Sequence, residues 1–171
     1  MAGLLDTRRT VFDRDQHADR RRLLQHLTVN VAAGNSDAHA KNTSILHPEH
    51  GDDTLAPLYD VAPLALAFEG TSALALRING VRQLPDVTAD DLVAEGASWG
   101  IPESDARSTV DDALARLIEA TRTLSAHASI AAHVPGYLRG QATNLAEGRA
   151  ARIVSAVPLM AQPWLGSAQP R

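Results

Sequence analysis

Within eight residues the chain carries Asn35, Asp37, His39, Lys41 and Asn42, and Asp60 stands eighteen residues after the last of them. These types suit phosphoryl transfer. That reaction asks for a carboxylate to accept the proton of an attacking hydroxyl, oxygen ligands to hold Mg²⁺ on nucleotide phosphates, and cations to spread the developing charge. Asp37 and Asp60 offer the carboxylates, and Asn42 offers an amide oxygen of the hard kind that Mg²⁺ accepts. His39 and Lys41 share the loop, within reach of a phosphate or of Asp37. Lys41 is also the only lysine in the chain.

Elements on either side must position this cluster. Before it, Leu23, Leu27 and Val31 recur at four-residue spacing with Leu24 alongside, which predicts a helix from about Gln16 to Ala33. Gly34 then stands where a helix C-terminus favours a left-handed residue. Arg20, Arg21 and Arg22 fall on the other side and read as a solvated face, with Asp13, Asp15 and Asp19 nearby. After the cluster, Thr43–His47 and Thr54–Leu58 are short strands joined by the polar turn Pro48–Asp53. Tyr59, Asp60 and Val61 close that hairpin and Pro63 blocks further pairing. Pairing the two runs brings Asn42 and Asp60 to the same end of it.

Further on, Ala73–Ile78 with Asn79-Gly80 fits a strand and turn, while its alanine-rich part also fits a helix. Thr88 to Asp91 has capping-box spacing, with aspartate where glutamate is usual, and opens a helix that runs to about Trp99 and stops at Gly100. Pro102 suits a first helical position. Val110, Leu114, Leu117, Ile118 and Leu124 make one stripe of a long helix to about residue 128. A last helix is expected from Gly136 or Tyr137 to Ala156, and the tail from Pro158 reads as irregular.

Composition bounds the function. The 171 residues are 44% apolar and 21% charged with a net charge of −4, enough for one buried core and without the basic field of a nucleic-acid binder. The absence of cysteine excludes disulfides and thiolate metal sites and favours a reducing compartment. The first residues hold no apolar run of signal-peptide length. The charge-free stretch Ile153–Pro170 is broken by Pro158 and Pro163 and is no membrane span. A cytoplasmic protein is expected.

Protein kinases deliver their chemistry as an aspartate, an asparagine five residues later and a second aspartate further on. Asp37, Asn42 and Asp60 follow that order. The stretch Asn35-Ser-Asp-Ala-His-Ala-Lys-Asn42, a hydrophobic strand, then Leu55-Ala-Pro-Leu-Tyr-Asp-Val61 resembles the HipA-like serine/threonine kinases. Those are toxins of bacterial toxin–antitoxin pairs with a two-lobed, kinase-like fold. The resemblance extends over most of the chain, since the Ala73–Gly80 run and the later helices also follow that family's C-terminal lobe.

The resemblance implies a mainly α fold with a short β-hairpin, a kinase-like C-terminal lobe over residues 1–157. Within it lie a catalytic loop (34–46), a metal-binding Tyr-Asp segment (57–61) and a helical part (88–157), followed by a tail (158–171). By position, Asp37 is the catalytic base, Asn42 and Asp60 bind Mg²⁺, His39 and Lys41 support catalysis, and Asn35 and Lys41 face the nucleotide. ATP and Mg²⁺ are the implied cofactors. A protein hydroxyl substrate, a helix-turn-helix antitoxin and a separate N-terminal lobe are the implied partners, with no direct nucleic-acid or membrane role. The departures are specific. Only 36 residues precede Asp37, none is lysine, and neither GxGxxG nor GxxxxGK[ST] occurs. The expectation is therefore that the N-terminal lobe with its nucleotide-anchoring lysine is absent, and that the isolated chain is inactive or very weak.

Each of these residues also has an ordinary reading. Asn35 suits shaping the loop, Asp37 a turn, Asn42 and Asp60 local backbone caps, His39 a bond to the loop backbone, and Lys41 a solvated surface. His47, His50, Asp52 and Asp53 are metal-ligand types in a polar turn and read as solvated, and Trp99, Trp164 and Tyr137 read as packing. Two other functions fit. One is a non-catalytic remnant or interaction module that binds a partner such as an antitoxin. The other is a metal-dependent hydrolase using Asp37, His39 and Asp60 with His26 or His47. Catalytic Zn²⁺ wants three protein ligands, and these histidines are scattered.

Overall fold

The computed structural model describes residues 17–50, 53–67, 72–123 and 133–152. Helix α1 (Ala18–Ala33) buries Leu23, Leu24 and Val31 as its periodicity predicts, and also Thr28 and Asn30. Thr28 satisfies itself on the Leu24 carbonyl at 2.8 Å. The arginine face is not simply solvated. Arg20 donates to the Trp99 carbonyl at 2.8 Å and Arg21 lies 3.9 Å from the Asp105 carboxylate, so this face docks the helices that follow.

Those helices are α3 (Ala89–Ser98), α4 (Glu103–Thr123) and α5 (Val134–Ala146). Thr88 and Asp91 form the expected reciprocal capping box, and Pro102 sits one residue before α4, its carbonyl taking the Ala106 N–H at 2.9 Å. Leu24, Leu84, Val87, Leu92, Val110, Leu114 and Leu145 are fully buried together, with Leu117 and Ile118 packed against them. The core therefore lies among α1, α3, α4 and α5, with α4 against the other three. Helix α5 stops ten residues short of Ala156. Gly148 takes a left-handed φ of 72°, and the Ala151 N–H bonds the Val87 carbonyl at 2.8 Å, drawing the chain off to the start of α3.

Two small antiparallel sheets complete the mainly helical fold. Strands β1 (Ile45–Leu46) and β2 (Thr54–Leu55) pair Ile45 with Leu55 and Leu46 with Thr54. They are shorter than the runs in the sequence. One more bond, Ala56 N–H to the Ser44 carbonyl at 2.8 Å, follows, and then Pro57 has no N–H to give. Strands β3 (Ala73–Ile78) and β4 (Val81–Gln83) form the second hairpin, so the alanine-rich run is a strand. Asn79 (φ 48°) and Gly80 (φ 83°) both occupy the left-handed region, as a two-residue turn of matching twist requires. Carboxylates of α3 pin this turn: Glu95 accepts the Asn79 N–H at 2.7 Å and Asp91 the Asn79 amide at 3.0 Å.

A single helical turn, α2 (Leu64–Ala67), follows Pro63. No helix among the described residues is long and apolar enough to cross a membrane. Residues 1–16 with Asp13 and Asp15, Asp52, the helix extension through Leu124, and the tail with Trp164 lie outside the described residues.

Candidate functional site

The site begins where α1 ends. Gly34 is left-handed (φ 75°), its N–H bonding the Val31 carbonyl at 3.0 Å and the Asn35 N–H reaching back to Asn30 at 2.9 Å. A side chain here would run into the Tyr137 hydroxyl of α5. Two carbonyls here are taken by neighbouring elements: Gly34 accepts from Ala65 of α2 at 3.0 Å and Ser36 from Ala75 of β3 at 2.9 Å. Asn35 and Ser36 are thus buried, and the chain surfaces at Asp37 before a 3₁₀ turn, Ala40–Asn42.

The Tyr-Asp segment is tied to this loop at two points. The Tyr59 hydroxyl donates to the Lys41 carbonyl at 3.0 Å and lies 2.7 Å from the Ser44 hydroxyl. Asn35 donates to the Asp60 carbonyl at 3.1 Å, and its amide oxygen accepts the Asp37 N–H at 3.3 Å. Asp60 itself is left-handed (φ 57°). That conformation costs a non-glycine residue about 1–3 kcal/mol, though aspartate is among the types that tolerate it.

The residues singled out from sequence separate into two groups. Asp37, Lys41 and Asp60 are exposed, and among the described residues no hydrogen bond or ion pair engages their charged ends. Half-buried Asn42 donates its amide nitrogen to the Asp37 carbonyl at 3.3 Å, and among the described residues no hydrogen bond engages its amide oxygen. Asn35 is turned inward at 3% exposure, with both amide hydrogens and its oxygen engaged by protein, so the structure gives it a scaffold's contacts and not a nucleotide's. His39 is partly buried and lines a cleft with Leu23, His26, Asn30 and Trp99, its Nδ1 enclosed without a hydrogen-bond partner among the described residues. Burial, then the Arg22 charge, hold His26 below the ordinary histidine pKa. The cleft offers about 90 Å³, room for several waters and far less than a nucleotide needs.

The donor set fits Mg²⁺ better than Zn²⁺. Mg²⁺ is held by one or two carboxylates together with phosphates and water, and the side-chain oxygens of Asn42 and Asp60 are of the hard type it accepts. Catalytic Zn²⁺ wants three protein ligands, and among the described residues no three His, Cys, Asp or Glu side chains converge on a metal position. His47 pairs instead with Asp53 at 2.8 Å in the hairpin turn. Two contributors carry no role of their own in the sequence. Tyr59 stands there only within the Tyr-Asp segment that closes the hairpin. Asn30 has none, although its place on the apolar stripe, three residues after Leu27, marks it as a buried polar group in need of a partner.

The family model described as HipA-like C-terminal domain matches residues 1–121. Two proteins of Sinorhizobium fredii (strain NBRC 101917 / NGR234) are similar to the chain. "Putative kinase Y4mE" is 33% identical over 128 residues, 71% of this chain and 30% of that protein. "Putative kinase Y4dM" is 28% identical over 98 residues, 55% of this chain and 24% of that protein. The chain therefore spans less than a third of either relative's length.

Proposed function

This chain belongs to the HipA-like C-terminal domain family, and on that premise we propose that it carries the catalytic-loop side of a Mg-ATP-dependent protein kinase site, acting on a protein hydroxyl in a toxin–antitoxin setting. One observation carries the reading: a single buried amide bonds the backbones of both Asp37 and Asp60, while both carboxylates remain exposed and unpaired among the described residues. Asp37 is the group that accepts the hydroxyl proton. The Asn42 amide oxygen and the Asp60 carboxylate would hold Mg²⁺, which supplies charge neutralisation at the phosphates. Lys41, exposed in the same turn, adds a cation beside them. His39 supports the loop from the cleft beneath it.

Lys41 is the one lysine among these residues, and the cleft beside His39 is too small for a nucleotide. We propose that a separate N-terminal lobe supplies the rest of the nucleotide site. The test uses Mn²⁺ as a paramagnetic stand-in for Mg²⁺, titrated into wild type, Asp60→Ala and Asn42→Ala. A loss of roughly tenfold or more in Mn²⁺ affinity is expected in both variants, the scale usual for damaged metal sites. Equal affinity in all three proteins would remove the metal assignment.

Apolar side chains exposed around the hairpins favour one other reading, a non-catalytic module that binds an antitoxin. Exposed Leu46, Tyr59, Val61 and Leu76 would serve such a partner. ATP-dependent phosphorylation that vanishes with Asp37→Ala excludes it.

A further inference from the structure

Three of the described helices end in one way. After α1, α3 and α5 a left-handed glycine (Gly34, Gly100, Gly148) gives its N–H to the residue three back, and the next residue bonds the one five back. The closing pairs are Asn35 with Asn30 at 2.9 Å, Ile101 with Gly96 at 3.3 Å and Arg149 with Asn144 at 2.8 Å. This motif is commonly sealed by an apolar contact between its closing residues. After α3 the core residue Ile101, 2% exposed, fills that place. After α5 the pair is half-buried Asn144 and exposed Arg149, which meets the Asn144 amide oxygen at 2.9 Å. Only at α1 among these three is the closing pair both buried and polar, with Asn30 at 9% and Asn35 at 3% exposure.

Stopping a helix does not require buried amides, and burying them is unfavourable unless each polar atom is bonded. Here each is. The Asp60 carbonyl can only accept and the Asp37 N–H can only donate, so the Asn35 amide has one permitted orientation. Its remaining N–H must then meet an oxygen, and Asn30 presents Oδ1 at 2.8 Å. Asn30 in turn gives its own amide to the His26 carbonyl at 2.9 Å. The chain of bonds runs from the rigid body of α1 to both sides of the site.

We infer that Asn30 and Asn35 are positioning residues that set the separation of Asp37 from Asp60, Asn35 by bonding both and Asn30 by fixing Asn35. The geometry stands by itself; what the two aspartates do with it rests on the kinase reading above.

Amide exchange measured by NMR tests it. In wild type the Asn35 side-chain amide protons should exchange at least about tenfold more slowly than those of half-buried Asn144, whose one amide bond, to the Arg152 carbonyl, is long at 3.4 Å; equal rates would overturn the inference without any variant being made. Asn30→Ala removes the acceptor, and the Asp37 backbone amide should then exchange roughly tenfold faster while those of Leu114 and Leu145 stay within about twofold. Asn30→Asp keeps an oxygen facing Asn35 but gives up the bond to the His26 carbonyl, so it should recover part of the slow exchange. Mn²⁺ affinity should fall in Asn30→Ala and recover in part in Asn30→Asp. A folded Asn30→Ala protein with wild-type Asp37 exchange or wild-type Mn²⁺ affinity overturns the positioning role. If wild type binds no Mn²⁺, the kinase reading fails and the exchange rates alone decide the geometry.

Discussion

Asp60 separates conformation from chemistry at a single residue. Its left-handed backbone is one that asparagine also tolerates and that a β-branched side chain does not. Its carboxylate is exposed and has no partner among the described residues. Asp60→Asn should therefore leave urea stability within about 0.5 kcal/mol of wild type, as surface changes do, while abolishing most Mn²⁺ binding. Asp60→Val should lower stability by about 1–3 kcal/mol through strain alone. A stable Asp60→Val protein would show that the segment accepts another conformation. The types and order of Asp37, Asn42 and Asp60 were legible because chemistry restricts them. Asn30 was not, because periodicity reports which face is buried and not that the partner of a buried amide stands five residues on, with Asp60 a further twenty-five beyond.

The elements were legible where a local rule decides them and opaque where a distant bond does. Gly34, the Thr88–Asp91 box and Gly100 all mark helix ends through their own backbone needs. The end of α5 did not show, since alanine-rich residues favour helix and one glycine there opposes it by only about 1 kcal/mol. The long-range bond from Ala151 to Val87 breaks the tie. In the same way, a strand or helix at Ala73–Ile78 was undecided until Ser36 and β4 supplied partners. The junction of α1 with the loop yields a second prediction. Gly34→Ala forces a left-handed alanine, at about 1–2 kcal/mol, and places a methyl against Tyr137, which is 3% exposed and held by Gln141 at 3.1 Å. Chemical denaturation should show a loss above about 2 kcal/mol, since overpacking adds about 1–3 more. The same change made in Tyr137→Phe should be milder, because the phenol oxygen is the nearest obstacle. Equal losses in both backgrounds would place the strain in the backbone alone.

At the scale of the whole molecule, acid should unfold the protein in two steps of the same sign. Burial, with Arg22 second, lowers the His26 pKa in the fold. The unfolded chain then takes up this proton near pH 6.5 and the folded one only at lower pH. The stability involved is complete above about pH 6.5 and declines as pH falls toward the folded value. Asp91 acts lower down. Burial pushes its carboxyl up, but bonds from the Thr88 hydroxyl, the Asn79 amide and the Thr88 N–H together outweigh burial and hold it below its ordinary range. Its contribution is present above about pH 4 and is lost as pH falls through the folded value. The two groups bracket the site: His26 sits in the cleft under His39, and Asp91 pins the turn of the hairpin whose Ala75 holds Ser36. Urea midpoints followed from pH 8 to pH 3 should fall in both windows for wild type. His26→Gln should flatten the upper decline and leave the lower, and Asp91→Asn should do the reverse while lowering stability at neutral pH. An upper decline that persists unchanged in His26→Gln would remove the cleft histidine from the acid response.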